Sequence, residues 1–328
     1  MSAPSHASAS PDQPATESPL GDAAPDALAP LGSRLRSSPL VVAVSDGPEG
    51  AGPVRVAAAL EARYGTSISV IQVLDTASVP APLTQAFALA REMIGDVPYA
   101  ADVIARRQQF GEWLGATVAW PVYVGVGTPA SEVLKYAEGQ GAALIVLGLR
   151  RHGIVDRVLR DETTLTVARR ARAAVLGVVP TLRGLPRQAV VGVDFGPASA
   201  RAARAALDIL GPGGADEPAV LRLVYVDRNA DTREETAGQG VIARLGIGAA
   251  FEELVRALAA PPDVRVEWII RRGAPAGELL AYADEVGADL IAVGSLRHER
   301  FDRWLLGSVT TDVVRDGRCS VLVIPPPA

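Results

Sequence analysis

Cysteine is nearly absent: the 328 residues contain one, Cys319. An intrachain disulfide is therefore impossible and a cysteine-rich metal cluster is excluded. Histidine is scarce as well, at three residues, His6, His152 and His298. Basic residues form no run and are not interleaved with aromatics, and the net charge is -5, so nucleic acid is not an expected partner. No apolar run approaches the ~20 residues of a membrane-spanning helix, and no membrane partner is expected. The single cysteine fits a reducing, cytoplasmic setting best, and the first residues lack the charged-then-apolar layout of a secretory signal. No Gly-Lys-Ser or Gly-Lys-Thr occurs, so a P-loop is missing.

What is present suits a soluble globular protein, with 48% hydrophobic and 21% charged residues. At roughly 100–200 residues per domain, the length suggests two domains. The opening stretch differs from the rest. It is rich in Ala, Pro and Ser, with Pro4, Pro11, Pro14, Pro19, Pro25 and Pro30, and such a composition buries too little apolar surface to offset ordering entropy. Residues 1 to about 37 read as a flexible tail.

The remainder repeats itself. Gly127-Thr128-Pro129-Ala130 resembles Gly273-Ala274-Pro275-Ala276, 146 residues further on, and the same offset holds without a gap. It pairs Glu132 with Glu278, Tyr136 with Tyr282, Gly148 with Gly294, Thr164 with Thr310, and Val175-Leu176 with Val321-Leu322. The opening strands match too, Leu40 to Val44 against Ala189 to Val193. Repeat one spans 38–182 and repeat two 187–328, with Thr181 to Arg187 as the linker.

Within repeat two, apolar runs at Ala189–Val193, Val220–Val226, Val264–Ile270, Leu290–Val293 and Val321–Ile324 alternate with helical patterns near Ser199–Leu210, Glu234–Ala259, Pro275–Glu285 and Ser308–Arg315. Such alternation predicts an α/β fold, a five-stranded parallel sheet in each repeat with helices on both faces. Ligands of such sheets bind beyond the C-terminal strand ends, where strand order reverses. The last strands, Ala174–Val179 and Ser320–Ile324, would be exposed apolar edges if each repeat stood alone. Pairing them relates the repeats by a pseudo-twofold axis.

The strongest local signal starts where the fourth strand of repeat two ends: Gly294-Ser295-Leu296-Arg297, nine residues, then Gly307-Ser308-Val309-Thr310. Gly294 permits a sharp turn and close backbone approach to a ligand. Gly307-Ser308-Val309 opens a helix, where free N–H groups and the dipole favour an anion, and Ser308 and Thr310 add hydroxyl donors. A polyphosphate would fit this cradle. The alternative is plain structure, with Gly294 a turn and Ser308 a helix N-cap worth about 1 kcal/mol.

This pattern resembles the universal stress protein family in its tandem two-domain form, over nearly all of 38–328. Nucleotide-binding members carry Gly, two residues, Gly, nine residues, then Gly and Ser or Thr. The resemblance implies tandem Rossmann-like domains, pairing through the last strand, and in many members ATP held without rapid turnover, with or without Mg. It places Asp194 beside the base and ribose of the nucleotide, and the backbone of Val226 at the adenine edge. Asp194 also reads as an Asx-turn or helix cap.

Arg297 stands where the family has its second glycine. Its guanidinium would contact a phosphate bidentately, or its bulk would block the close approach. Repeat one has Arg151 there, and Asp161-Glu162 opposite Gly307-Ser308. Two carboxylates repel a polyphosphate, so repeat one reads as a degenerate copy in which Asp161 and Glu162 are a solvated acidic start to a helix, favoured by its dipole; metal binding by the pair through a bridging cation is the alternative. Asp46 is displaced by one residue relative to Asp194. No base is placed to activate a water, so the expectation is a regulatory nucleotide-binding protein and not an enzyme, slow ATP hydrolysis being left open. Its partners would be an adenine nucleotide, an unidentified protein and a second copy in a homo-oligomer. The competing expectation is a nucleotide-free interaction scaffold.

Overall fold

A computed structural model describes residues 30–45, 48–75, 100–149, 162–213, 217–228, 237–295 and 306–327. In repeat one these form β1 (Leu40–Val44), α2 (Ala51–Tyr64), β2 (Ile68–Asp75), α3 (Ala100–Leu114), β3 (Val122–Gly127), α4 (Pro129–Gly139), β4 (Leu144–Gly148), α5 (Glu162–Arg170) and β5 (Ala174–Val178). Repeat two follows with β6 (Gln188–Gly192), α6 (Pro197–Ile209), β7 (Ala219–Asp227), α7 (Ala237–Leu258), β8 (Val264–Arg272), α8 (Pro275–Glu285), β9 (Leu290–Gly294), α9 (Ser308–Asp316) and β10 (Ser320–Ile324). A further helix, α1 (Leu31–Ser37), precedes both.

The strands join in one ten-stranded sheet, ordered β3-β2-β1-β4-β5-β10-β9-β6-β7-β8. Each repeat supplies five parallel strands, and strand order reverses between β1 and β4 and between β6 and β9. Alternate strand residues face opposite layers. Leu40, Val42, Val191, Leu223 and Leu322 pack with α1, α2, α3, α6 and α7. Val41, Val190, Val224, Ile291 and Val323 pack with α4, α5, α8 and α9. Burial on both faces explains why the strands read as unbroken apolar runs.

The repeats meet at the antiparallel pair β5 and β10, in the register Val321 to Gly177, Leu322 to Leu176 and Val323 to Val175. Leu176 and Leu322 are repeat equivalents facing each other, so the pseudo-twofold axis passes between them. Each last strand covers the other's apolar edge. Equivalent backbone bonds recur on both sides, Leu149 N–H to Val178 O and Ser295 N–H to Ile324 O, each at 2.8 Å.

The expected tail is corrected at its end. Residues 31–37 are α1, which packs on α6 of repeat two and α2 of repeat one and buries Leu31 and Leu35. Its Gly32 N–H donates to Asp208 Oδ2 at 3.0 Å, across 176 residues of sequence. Tyr64 Oη donates to the Asp208 carbonyl at 2.7 Å, and the Arg63 guanidinium donates to Leu210 O. Two leucines one helical turn apart suffice to dock α1, although the surrounding composition argues for disorder. Residues 1–29 lie outside the described part.

Candidate functional site

The site is built at the reversal of strand order in repeat two, from the ends of β6, β7 and β9 and the start of α9. After β6 the chain continues as Val193-Asp194-Phe195-Gly196 and turns into α6 at Pro197, whose fixed φ suits a first helical turn. Asp194 Oδ1 accepts hydrogen bonds from Gly196 N–H at 2.9 Å and Ser199 Oγ at 2.7 Å. Ser199 Oγ accepts the Asp194 N–H at 3.3 Å. One carboxylate oxygen thus forms the Asx-turn that starts α6. Asp194 is exposed, and its Oδ2 has no hydrogen-bond donor among the described residues.

Phe195 adopts φ 62°, a left-handed conformation costing a side-chain-bearing residue about 1–2 kcal/mol. Its ring stacks on Tyr225 at 5.4 Å and meets Phe251 edge-on at 4.9 Å. Phe251 stacks in turn on Trp268 at 4.7 Å. Aromatic pairs contribute roughly 0.5–1.5 kcal/mol each beyond burial, enough to offset the backbone cost. Sequence reading misses Phe195, Tyr225 and Ser199. Apolar runs and helical patterns signal the strand and helix, but no local pattern reports a positive φ at a phenylalanine.

Val226 lies one residue before the end of β7. Val193 N–H donates to Val224 O, so Val224 faces β6, and Gly273 N–H donates to Asp227 O, so Asp227 faces β8. Backbone groups alternate sides along a strand, and both groups of a parallel-strand residue point the same way. The Val226 N–H and C=O therefore face the gap left where β6 turns away after Val193.

Gly294 is a glycine for an internal reason. A Cβ there would sit 2.3 Å from the Ala198 carbonyl oxygen in the first turn of α6. The side of Gly294 on which a side chain would project is thus filled by α6. Gly148 of repeat one is placed alike: a Cβ added there would sit 3.1 Å from Glu49 O, so both repeats press a helix entry onto the fourth strand.

Gly307 is different. It caps α9 with φ -57°, and a Cβ there would meet no described atom within 4 Å. Gly307 and Ser308 are exposed and Val309 is half-buried. Gly307, not Ser308, is the N-cap, and no side chain caps the helix. The N–H groups of Ser308, Val309 and Thr310 have no intrahelical acceptor. The Thr310 hydroxyl is not the phosphate donor anticipated: it is buried and donates to Gly294 O at 3.3 Å. That bond ties the start of α9 to the end of β9, and Gly294 lies against α6, whose first turn holds Asp194. Asp194, Gly294 and the α9 start therefore form one continuous assembly, with Val226 across the neighbouring strand.

Arg297 and the rest of 296–305 lie outside the described residues. So do Asp46, Arg151, His152, Asp161 and the Glu162 side chain.

A family model described as the Universal stress protein family matches twice, over residues 37–179 and 186–325. The chain belongs to the universal stress protein family. It is 29% identical over 198 residues to a universal stress protein of Mycolicibacterium smegmatis, covering 57% of this chain and 63% of that one. It is 34% identical over 73 residues to one of Methanocaldococcus jannaschii, covering 22% of this chain and 43% of the relative. The chain thus spans less than two thirds of the length of these relatives. The crystal structure of a universal stress protein from Archaeoglobus fulgidus superposes with a TM-score of 0.59 at 18% identity, covering 87% of this chain and 98% of that one. A protein of unknown function from Pseudomonas aeruginosa superposes at 0.56, with 14% identity over 90% of this chain and 95% of its own. These likenesses establish the universal stress protein fold in tandem. Among the described residues no helix is long and apolar enough to cross a membrane.

Proposed function

We propose that repeat two of this universal stress protein holds an adenine nucleotide, ATP, in a regulatory and non-turnover role in the stress response. The observation that carries this reading is the open start of α9, with three first-turn N–H groups and, at Gly307, a glycine that no described atom requires. Phosphates would lie over Gly307, Ser308 and Val309, with Thr310 holding the helix in place from behind. Asp194 Oδ2 would accept from the ribose, and the Val226 N–H and C=O would pair with the adenine edge. Arg297, outside the described residues, would contact the phosphates through its guanidinium. Among the described residues no three His, Cys, Asp or Glu side chains converge. A magnesium ion accompanying ATP would therefore be held through the phosphates.

Repeat one serves as the structural partner, its Asp161-Glu162 repelling a polyphosphate. The setting is cytoplasmic, and an unidentified protein, or a second copy of the chain, would read the loop between Ser295 and Leu306. Titrating ATP against wild type and Gly307→Asp tests the site. The aspartate enters open space at an ordinary φ, so melting temperature should hold while ATP affinity falls at least about tenfold. Equal affinity in both proteins removes the site.

A second reading, the nucleotide-free scaffold, is favoured by the internal use of Gly294, Thr310 and Asp194 Oδ1. Purified protein free of nucleotide, with no ATP-induced rise in melting temperature, would decide for it.

A further inference from the structure

The left-handed phenylalanine between Asp194 and Gly196 has no counterpart among the described non-glycine residues except Ala259, which follows the end of α7, where that conformation is ordinary. Phe195 ends no helix. A bulky residue held at φ 62° persists only when its surroundings over-determine it, and such residues cluster at binding sites. Here the surroundings are the Tyr225 and Phe251 rings.

Its place explains its use. Hydrogen bonding between β6 and β7 stops at Val193 N–H to Val224 O. Beyond that point no strand pairing sets where Asp194 lies relative to Val226. The stack of Phe195 on Tyr225, the neighbour of Val226, spans the gap instead. The same left-handed turn brings Gly196 N–H and Ser199 Oγ together onto Oδ1, leaving Oδ2 without a described donor. A relaxed turn at residue 195 would release Gly196 and swing the carboxylate.

We infer that Phe195 is a positioning residue of the nucleotide site: its left-handed backbone, held by the Tyr225 and Phe251 rings, presents Asp194 Oδ2 to the ribose hydroxyls. This rests on the nucleotide reading above and adds to it a determinant of sugar selectivity. Ring and backbone are separable, because glycine adopts this φ freely and alanine does not.

The test measures affinity of the full chain for ATP, 2′,3′-dideoxy-ATP and tripolyphosphate, with melting temperature alongside. Wild type should prefer ATP over the dideoxy analogue about tenfold, the size of a lost hydrogen bond to a charged group. Phe195→Ala should bring that preference close to parity with tripolyphosphate affinity unchanged, and Phe195→Gly, although smaller, should retain most of it. Tyr225→Leu, which removes the stacked ring and keeps Phe195, should follow the alanine variant and reads the outcome if that variant does not fold. The inference is overturned if Phe195→Ala keeps the wild-type preference, if alanine and glycine lose it equally, or if tripolyphosphate affinity falls in parallel. It is overturned with the nucleotide reading if wild type binds neither ATP nor tripolyphosphate; tripolyphosphate bound without sugar preference refutes the positioning role alone.

Discussion

A methyl group added at Gly294 would lie 2.3 Å from the Ala198 carbonyl oxygen, closer than real Cβ atoms approach backbone, whereas one added at Gly307 would meet nothing described within 4 Å. The two glycines end one loop and answer to different demands. Gly294→Ala forces α6 off the sheet and should cost about 1–3 kcal/mol. Gly307→Ala should fall within ~0.5 kcal/mol of wild type, as an exposed substitution does. Urea melts of the two variants check this, and comparable losses would contradict the packing. Phe195 belongs at the same scale. Its conformation is set by rings on β7 and α7, residues far away in sequence.

Among the elements, α1 has the most to say about how the repeats are joined. Asp208 accepts its Gly32 N–H and lies 3.7 Å from Arg204, yet burial pushes the Asp208 carboxyl above its ordinary value of 3.8, outweighing the Gly32 bond and the Arg204 and Arg63 charges. Asp208→Ala removes the acceptor and should cost about 1–2 kcal/mol, with faster amide exchange confined to residues 31–37 and their contacts. The pH dependence has a definite sign. A carboxyl raised on folding contributes stability that is full below its unfolded value and lost as pH rises through the folded one. Asp208→Asn should remove that loss, so its stability should decline less than wild type as pH rises from about 3.8. Parallel stability curves in acid would refute the assignment.

At the scale of the whole molecule, the seam between β5 and β10 makes two small sheets into one. Leu176 and Leu322 face each other on the pseudo-twofold axis, and both are almost fully buried. Leu176→Ala and Leu322→Ala should each cost about 2–5 kcal/mol. Because the two side chains are cross-strand neighbours, the double variant should depart from additivity by at least ~0.5 kcal/mol. Additive losses in a double-mutant cycle would mean that the repeats are energetically separate. The asymmetry of the repeats is also a whole-molecule property: the sheet and its seam are shared, and the sequences diverge at the helix start where phosphates would sit.

The sequence alone determined the duplication, the alternation of strands and helices, α8 to its exact bounds at Pro275 and Glu285, and the apolar last strands that pair. Those features are periodic or repeated, and periodicity is a local property of a chain. It also marked Gly307 and the start of α9, since capping depends on a few adjacent residues. Only the tertiary structure decided that residues 31–37 dock on α6, that Gly294 makes room for Ala198, that the Thr310 hydroxyl turns inward, and that Phe195 takes a left-handed turn. Each of these depends on a contact between segments remote in sequence. The space around a side chain is set by what the fold brings beside it.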